Sequence, residues 1–287
     1  MIVVTGATGT VGSRIVRGLR ERGEQVRTPV RNPGAVPAEW DAGVTPVAAD
    51  FTDPASLDAA LAGATVVYLL AGVDPQMAQH ERNVIDAAVR AGSHPRIVLQ
   101  AASGVDGPHE GVRFLTAHAQ AWAHLRASGL PWTVLAPNGF YQNFLLMAGS
   151  VRAGQLSVPG GGAAVSYVDA DDVAACAVEV LTGAGHEGAL YTLTGPAGLT
   201  HGEIAEQLGA AAGHEVAYVA AEPQAALAYM LGAGWDPWRA EGLVELYGYY
   251  AAGSAAGVSP DVAGLTGRGP RPLADFLAVN GGVLRGE

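Results

Sequence analysis

What most limits the folds open to this chain is Thr5-Gly6-Ala7-Thr8-Gly9-Thr10-Val11-Gly12, a glycine-rich stretch after the β-branched run Ile2 to Thr5. An apolar stripe at Val11, Ile15 and Leu19 follows it, and four-residue spacing puts that stripe on one helix face with Arg14, Arg17 and Arg20 turned outward. Strand, glycine turn and helix in this order form the dinucleotide-binding arrangement of open α/β sheets. Gly6 allows the tight turn, Gly9 lets a diphosphate approach the backbone, and Gly12 allows the helix to pack closely on the sheet. The helix start, with Thr8, Thr10 and Val11 leading into it, then offers unbonded N–H groups and a positive dipole end to the phosphates. The alternative is a glycine-rich turn with a purely structural role.

The rest of the first half repeats the alternation. Gly23 stops the first helix and Gln25 to Val30 supplies a second strand. Further strands are predicted at Val44 to Ala48, Thr65 to Leu70, Arg96 to Gln100 and Trp132 to Leu135, with helices at Pro54 to Leu61, Met77 to Ala91 and Gly111 to Ser128. Asp53-Pro54 is a helix start, because the aspartate can accept from unbonded N–H groups and proline suits the first turn. The fold class is therefore α/β, a Rossmann-type doubly wound parallel sheet. Residues 1–155 are expected to form the nucleotide-binding core and 156–287 a smaller, partly interleaved α/β substrate lobe over the carboxyl edge of the sheet. Helices at Ala170 to Leu181, Thr200 to Ala211 and Pro237 to Ala251 belong to that tail. No internal repeat and no disordered tract is seen.

Composition excludes several classes. The net charge of −11 repels a phosphate backbone, so nucleic acid is not an expected partner. All 16 basic residues are arginines, which removes Schiff-base chemistry, a P-loop lysine and a Tyr-x-x-x-Lys pair together. The single cysteine, Cys176, excludes an intrachain disulfide and reads as a core filler on a helix. The histidines form no i, i+4 pair, so no metal site is expected. No apolar run approaches the roughly 20 residues of a membrane helix, and MIVVTGATG lacks the form of a secretory signal; the expectation is a cytoplasmic protein, monomer or homodimer.

The residue after the second strand bears on cofactor choice. NAD sites place a carboxylate there, whereas this chain has Val30-Arg31-Asn32-Pro33, so Arg31 reads as the partner of a 2′-phosphate and the cofactor as NADP(H). A solvated surface arginine is the plain alternative. Asp50, ending the third strand, could meet the adenine amino group or cap the following turn.

With TGATGTVG at 5 to 12, VRNP at 30 to 33, SGLPWTVLAPNGFYQN at 128 to 143, YVDADDVA at 167 to 174, HEGALYTLTGPAGLTHGEIAEQL at 186 to 208 and LTGRGPRPLADFL at 265 to 277, the chain resembles the NmrA-like, atypical short-chain dehydrogenase/reductases over nearly its whole length. That family includes quinone oxidoreductases and triphenylmethane reductases, and some members only sense the nucleotide. The resemblance implies that Pro137 and its turn hold the nicotinamide end with Asn143 near it, and that Asp169 or Asp172 makes turn and cap hydrogen bonds.

The chain departs from that family where chemistry would be done. Alanines Ala101 and Ala102 stand where serines usually face the nicotinamide, Ser103 is displaced, and Trp122 stands at the usual glutamate of a His-x-x-x-Glu pattern. His118 remains and is either a proton carrier or a partly buried hydrogen-bonding residue. Tyr141 is either a proton donor or an aromatic wall. Trp235-Asp236-Pro237-Trp238 with Tyr247, Tyr249 and Tyr250 either lines a pocket for a flat aromatic substrate or packs a core. The leading expectation is an NADPH-dependent reductase of activated, flat, quinone-like acceptors. A redox-neutral cyclase, isomerase or dehydratase and an NADP(H)-sensing regulator remain open beside it.

Overall fold

The computed structural model describes residues 1–38, 40, 42–109 and 111–287. The chain runs through β1 (Ile2–Val4), α1 (Gly12–Glu21), β2 (Val26–Val30), β3 (Val44–Ala48), α2 (Pro54–Leu61), β4 (Val66–Leu69), α3 (Met77–Arg90), β5 (Arg96–Gln100), α4 (Arg113–Ala127) and β6 (Trp132–Pro137). It continues through α5 (Gln142–Leu145), α6 (Ala148–Arg152), β7 (Gln155–Val158), α7 (Ala170–Thr182), β8 (Leu190–Leu193) and α8 (His201–Ala212). The last elements are β9 (Ala217–Ala220), α9 (Pro223–Gly232), α10 (Pro237–Ala251), α11 (Asp261–Thr266) and α12 (Leu273–Arg285).

Seven strands form one sheet in the order β3-β2-β1-β4-β5-β6-β8, and the pairings from β3 through β6 are parallel. The order reverses between β1 and β4, the switch point at which open α/β sheets bind ligands beyond their strand ends. Central strands of such a sheet are covered on both faces, and β4 (Val-Val-Tyr-Leu) is buried at every position. Leu57, Leu61, Val84, Ile85 and Leu125 from α2, α3 and α4 fill one core with Val3, Val67, Leu69, Ile97 and Leu99 of the strands. The predicted helix start at Asp53 is present, its side chain accepting from Ala55 N at 3.0 Å.

Packing divides the chain into two units. The first contains Met1–Asp106, Leu115–Ala136 and Val173–Tyr191, the second Gly107–Phe114, Pro137–Asp172 and Thr192–Glu287. This differs from a single boundary after 155 because the chain returns to the first unit late. Most of α7 packs there on α1, where a Cβ on Gly18 would lie 3.0 Å from Val178 and Arg22 pairs with Glu179.

The second unit has its own core, in which Leu156, Val158, Ile204, Leu208, Phe276 and Leu277 meet. Its small sheet pairs β7 and β9 in parallel. Thr200 and Glu203 form a reciprocal capping box at the start of α8, and Gly213, with φ of +82°, ends it. Arg113 is held on α10 by Glu245 at 2.6 Å and Glu241 at 2.8 Å, beside the Phe114–Trp238 ring contact. This unit holds most of the elements the sequence did not reveal. α5, α6, β7, β8, β9 and α11 span one or two turns or four-residue strands, too short for a period to register, and α9 has no apolar stripe to read. Among the described residues no helix is long and apolar enough to cross a membrane.

Candidate cofactor and active site

The glycine loop leaves β1 at the switch point and is tied down from beneath. Thr5 is fully buried, and its hydroxyl faces the carbonyls of Tyr68 and Leu70 at 3.1 and 3.0 Å and accepts from Leu70 N at 2.8 Å. That fixes the first turn against the end of β4. Gly6 adopts φ of +60°, where a side chain would be strained and would also lie 3.3 Å from Leu70 O. Gly9 N closes the turn on Gly6 O at 2.9 Å.

Gly12 differs in detail from its expected role. A Cβ there would lie 2.2 Å from Gly6 O, 2.7 Å from Gly6 C and 2.9 Å from Ala7 Cα, so the close contact is with the loop's own first turn rather than with the sheet. Thr8, Gly9 and Thr10 are exposed, whereas Val11 is buried and anchors the helix start. No side chain caps α1 and no acidic residue lies in its first turn. Its leading N–H groups and positive dipole end therefore suit an anion laid over Gly9.

Arg31 and Asp50 follow β2 and β3 at the same sheet edge, and both are exposed. The Asp50 carboxylate accepts from Thr52 N at 2.8 Å and from the Thr52 hydroxyl at 2.7 Å, so the turn-capping role is present. Those bonds lower its pKa, and the charges of Arg31 and His80 lower it further. Helix α3 braces the following residue: Asn83 Nδ2 donates to Phe51 O at 2.8 Å, and the His80 ring meets the Phe51 ring edge-on at 6.3 Å.

The two candidate proton donors are enclosed. His118, on α4 in the first unit, is 7% exposed, and burial pushes its imidazole down to about 4, so it is neutral at physiological pH. Its Nδ1 has no hydrogen-bond partner. Tyr141, in the second unit, is 1% exposed and packs on Phe276 with the rings tilted and their centroids 5.6 Å apart. Burial, then the charges of Asp169 and Asp172, raise its phenol above the usual range. Pro137 is buried at the end of β6, and Asn143 is exposed on α5. Trp122, at the position of the usual glutamate, packs edge-on against Trp132 at 5.9 Å with the Arg126 guanidinium over its ring.

Asp169 and Asp172 are fully buried and bonded. Gln142 Nε2 at 2.7 Å and Arg271 at 2.8 Å meet Asp169, while Arg268 and the Arg271 amide, both at 2.6 Å, meet Asp172. The sequence marked these carboxylates as structural and missed their arginines, which lie about 100 residues away with no local pattern to join them. Tyr247 and Tyr250 are core residues, whereas Trp235 is 40% exposed with Arg239 over its ring at 5.3 Å. A cavity of about 630 Å³ between α8 and β9 is lined by Glu206, Ala210, His214, Val216 and Tyr218 among others, and none of the sequence-predicted site residues lines it.

A glycine turn at the switch point, a helix start without a side-chain cap after it and an exposed arginine directly after β2 define a nucleotide-binding open α/β protein. A family model described as NAD(P)H-binding matches residues 6–184, and the chain belongs to that family. It is 37% identical over 279 residues to an NAD(P)H azoreductase of Xenophilus azovorans, with 96% of each chain covered. Its structure is similar to that of an NADPH-dependent quinone oxidoreductase of Escherichia coli complexed with NADPH, with a TM-score of 0.90, 27% identity and coverage of 98% of this chain and 99% of that one. It is likewise similar to the triphenylmethane reductase of Citrobacter complexed with NADP(H), with a TM-score of 0.88, 25% identity and coverage of 97% and 99%. The resemblance to NmrA-like, atypical short-chain dehydrogenase/reductases is borne out, and with it the class of the protein, an oxidoreductase.

Proposed function

We propose that the protein is a cytoplasmic, NADPH-dependent reductase of flat, conjugated small molecules of the quinone or azo type, working as a monomer or homodimer. The observation that carries the choice of acceptor is the enclosure of both candidate acids. His118 is buried and neutral and Tyr141 is 1% exposed, while Ala101 and Ala102 follow β5 where a hydrogen-bonding side chain would otherwise stand. A plain ketone needs a donor positioned in the transition state, whereas a quinone or azo compound delocalises the incoming charge until solvent protonates it. The names of the relatives, an azoreductase, a quinone oxidoreductase and a triphenylmethane reductase, support the same class of acceptor.

The residues fit this cofactor. Gly6, Thr8, Gly9, Thr10, Val11 and Gly12 would hold its diphosphate, Arg31 its 2′-phosphate, Asp50 its adenine side, and Pro137 and Asn143 its nicotinamide end. When bound, the nicotinamide supplies the hydride; the protein's part is to fix and orient both reactants. Tyr141 and His118 serve only as optional proton donors. Trp235, and Tyr229 at 77% exposure, offer rigid aromatic surface in the second unit.

Oxidation of NADPH, followed at its absorbance band against quinones, azo dyes, triphenylmethane dyes and aliphatic ketones, tests the proposal. Turnover of the conjugated acceptors with little on the ketones is expected. Efficient reduction of aliphatic ketones refutes the acceptor class, and catalysis on any substrate without NADPH replaces it with a redox-neutral reaction.

A further inference from the structure

On α3, Met77, Glu81, Val84, Ile85 and Ala88 lie on the face that the helix turns to the sheet, and all are buried. Glutamate on such a stripe is rare unless it is paired. Among the described residues Glu81 has no cationic partner. Its Oε1 accepts from Ala71 N at 3.3 Å and its Oε2 is buried with no hydrogen-bond partner. Ala71 follows Leu70, the residue locked to the Thr5 hydroxyl and lying 3.3 Å from the Cβ position of Gly6. One hydrogen bond and one peptide unit thus separate the carboxyl of Glu81 from the first turn of the nucleotide loop.

We propose that Glu81 is a positioning residue for that loop, a buried carboxyl that must keep its proton for the loop to hold NADPH tightly. As a neutral acid it accepts from Ala71 at no charge cost and seats the end of β4 beneath Gly6. As an anion it would leave a charged oxygen buried without a partner, which the protein relieves by moving the Leu70–Ala71 segment or admitting water. The same charge would stand beneath a loop that receives an anionic diphosphate.

The surroundings offer no compensation. On β4, Tyr68 donates its hydroxyl to Gln100 of β5, and burial together with the Glu81 charge raises its phenol, so it stays neutral. On α3 itself His80 turns to Asp74 at 3.7 Å, and Arg82, half-buried, is set about 100° around the helix from Glu81. α4 contributes Ala117 to the cluster around Ala71, and its neighbour His118 is neutral. Burial pushes the Glu81 carboxyl up to about 8, so the proton is present at neutral pH and leaves in mild base.

The test is the dissociation constant of NADPH from pH 6.5 to 9.5, read by nicotinamide fluorescence with no substrate present. The 2′-phosphate, with a second pKa of about 6, is fully ionised over the basic part of this range. In the unmodified protein the constant should be flat to about pH 7.5 and then rise by up to about tenfold per pH unit. Glu81→Gln should bind comparably at pH 7 and stay flat in base. Glu81→Met, which cannot accept from Ala71, should bind more weakly throughout, also without the basic rise. Calorimetry of the unmodified protein at pH 8.5, in two buffers of different ionisation enthalpy, should show proton uptake on binding. A flat profile in the unmodified protein, a parallel rise in Glu81→Gln, full affinity in Glu81→Met or binding without proton uptake each overturns the proposal.

Discussion

Gly9 and Gly12 stand three residues apart in one loop, and the structure separates what each does. Replacing Gly12 by alanine puts a methyl carbon 2.2 Å from Gly6 O and 2.9 Å from Ala7 Cα, against about 3.5 Å for an unstrained contact. The atoms it meets are backbone, so no rotamer change relieves the clash, and either the turn or the start of α1 must shift. Overpacking of this kind costs about 1–3 kcal/mol, and a backbone collision belongs at the upper end. At about 2–4 °C per kcal/mol for a chain of this size, Gly12→Ala should melt about 6–12 °C below the unmodified protein. In Gly9→Ala the methyl lies 3.2 Å from Gly6 O alone, at an exposed residue. Its melting temperature should change by less than about 2 °C, yet NADPH affinity should fall at least tenfold, about 1.4 kcal/mol, because the methyl takes the diphosphate's approach to the backbone. Differential scanning fluorimetry and NADPH titration of the two variants give both quantities. A Gly12→Ala protein that melts with the unmodified one, or a Gly9→Ala protein that binds NADPH unchanged, refutes this division of roles.

Arg31→Ala should erase most of a preference for NADPH over NADH of about 1–3 kcal/mol, measured by parallel titrations, and equal affinities in the unmodified protein would remove the argument. Tyr141→Phe and His118→Ala should each slow quinone reduction by less than the about 10²–10⁴-fold that loss of an acid-base group costs; a larger loss makes that residue the proton donor after all. Asp169→Ala removes a buried carboxylate that accepts from Gln142, Arg271 and Asp171 N, while Arg271 stays a third exposed and paired with Asp171, and should destabilise the fold by about 1–3 kcal/mol in urea denaturation. The Glu81 carboxyl has a folded-state pKa of about 8 against an ordinary 4.5, so the folded protein binds the extra proton and the contribution of this group to stability falls as pH rises from about 4.5 through 8. Glu81→Gln should accordingly gain on the unmodified protein across that window, reaching about 3 kcal/mol near pH 7, and a pH-independent difference between the two would contradict the burial argument.

The first unit was legible in the sequence because strands and helices alternate there and their signals are local. The boundaries of β3, α2 and β5 coincide with the predicted ones; β5 carries the apolar run Ile97-Val98-Leu99 of a buried parallel strand, and Asp53-Pro54 is a local helix start. The second unit was legible where helices carry their own side-chain caps, as at Thr200 and Asp236, and not at its short strands and helices, nor at α9 and α12, whose starts have no side-chain cap. The same distinction governs the site. Glycine spacing and the arginine after β2 are local, whereas Arg268 and Arg271 reach Asp172 and Asp169 only through the fold. Glu81 lies between these cases. Met77, Glu81 and Ile85 at four-residue spacing already place a carboxylate on an apolar stripe, a conflict between charge and pattern that is visible in the sequence. That a carboxyl is buried can thus be read from periodicity. That its bond goes to Ala71, beside the turn at Gly6, cannot, because this contact depends on how β4 is aligned with β1, and it is this alignment that connects the proton on Glu81 to the grip on the nucleotide.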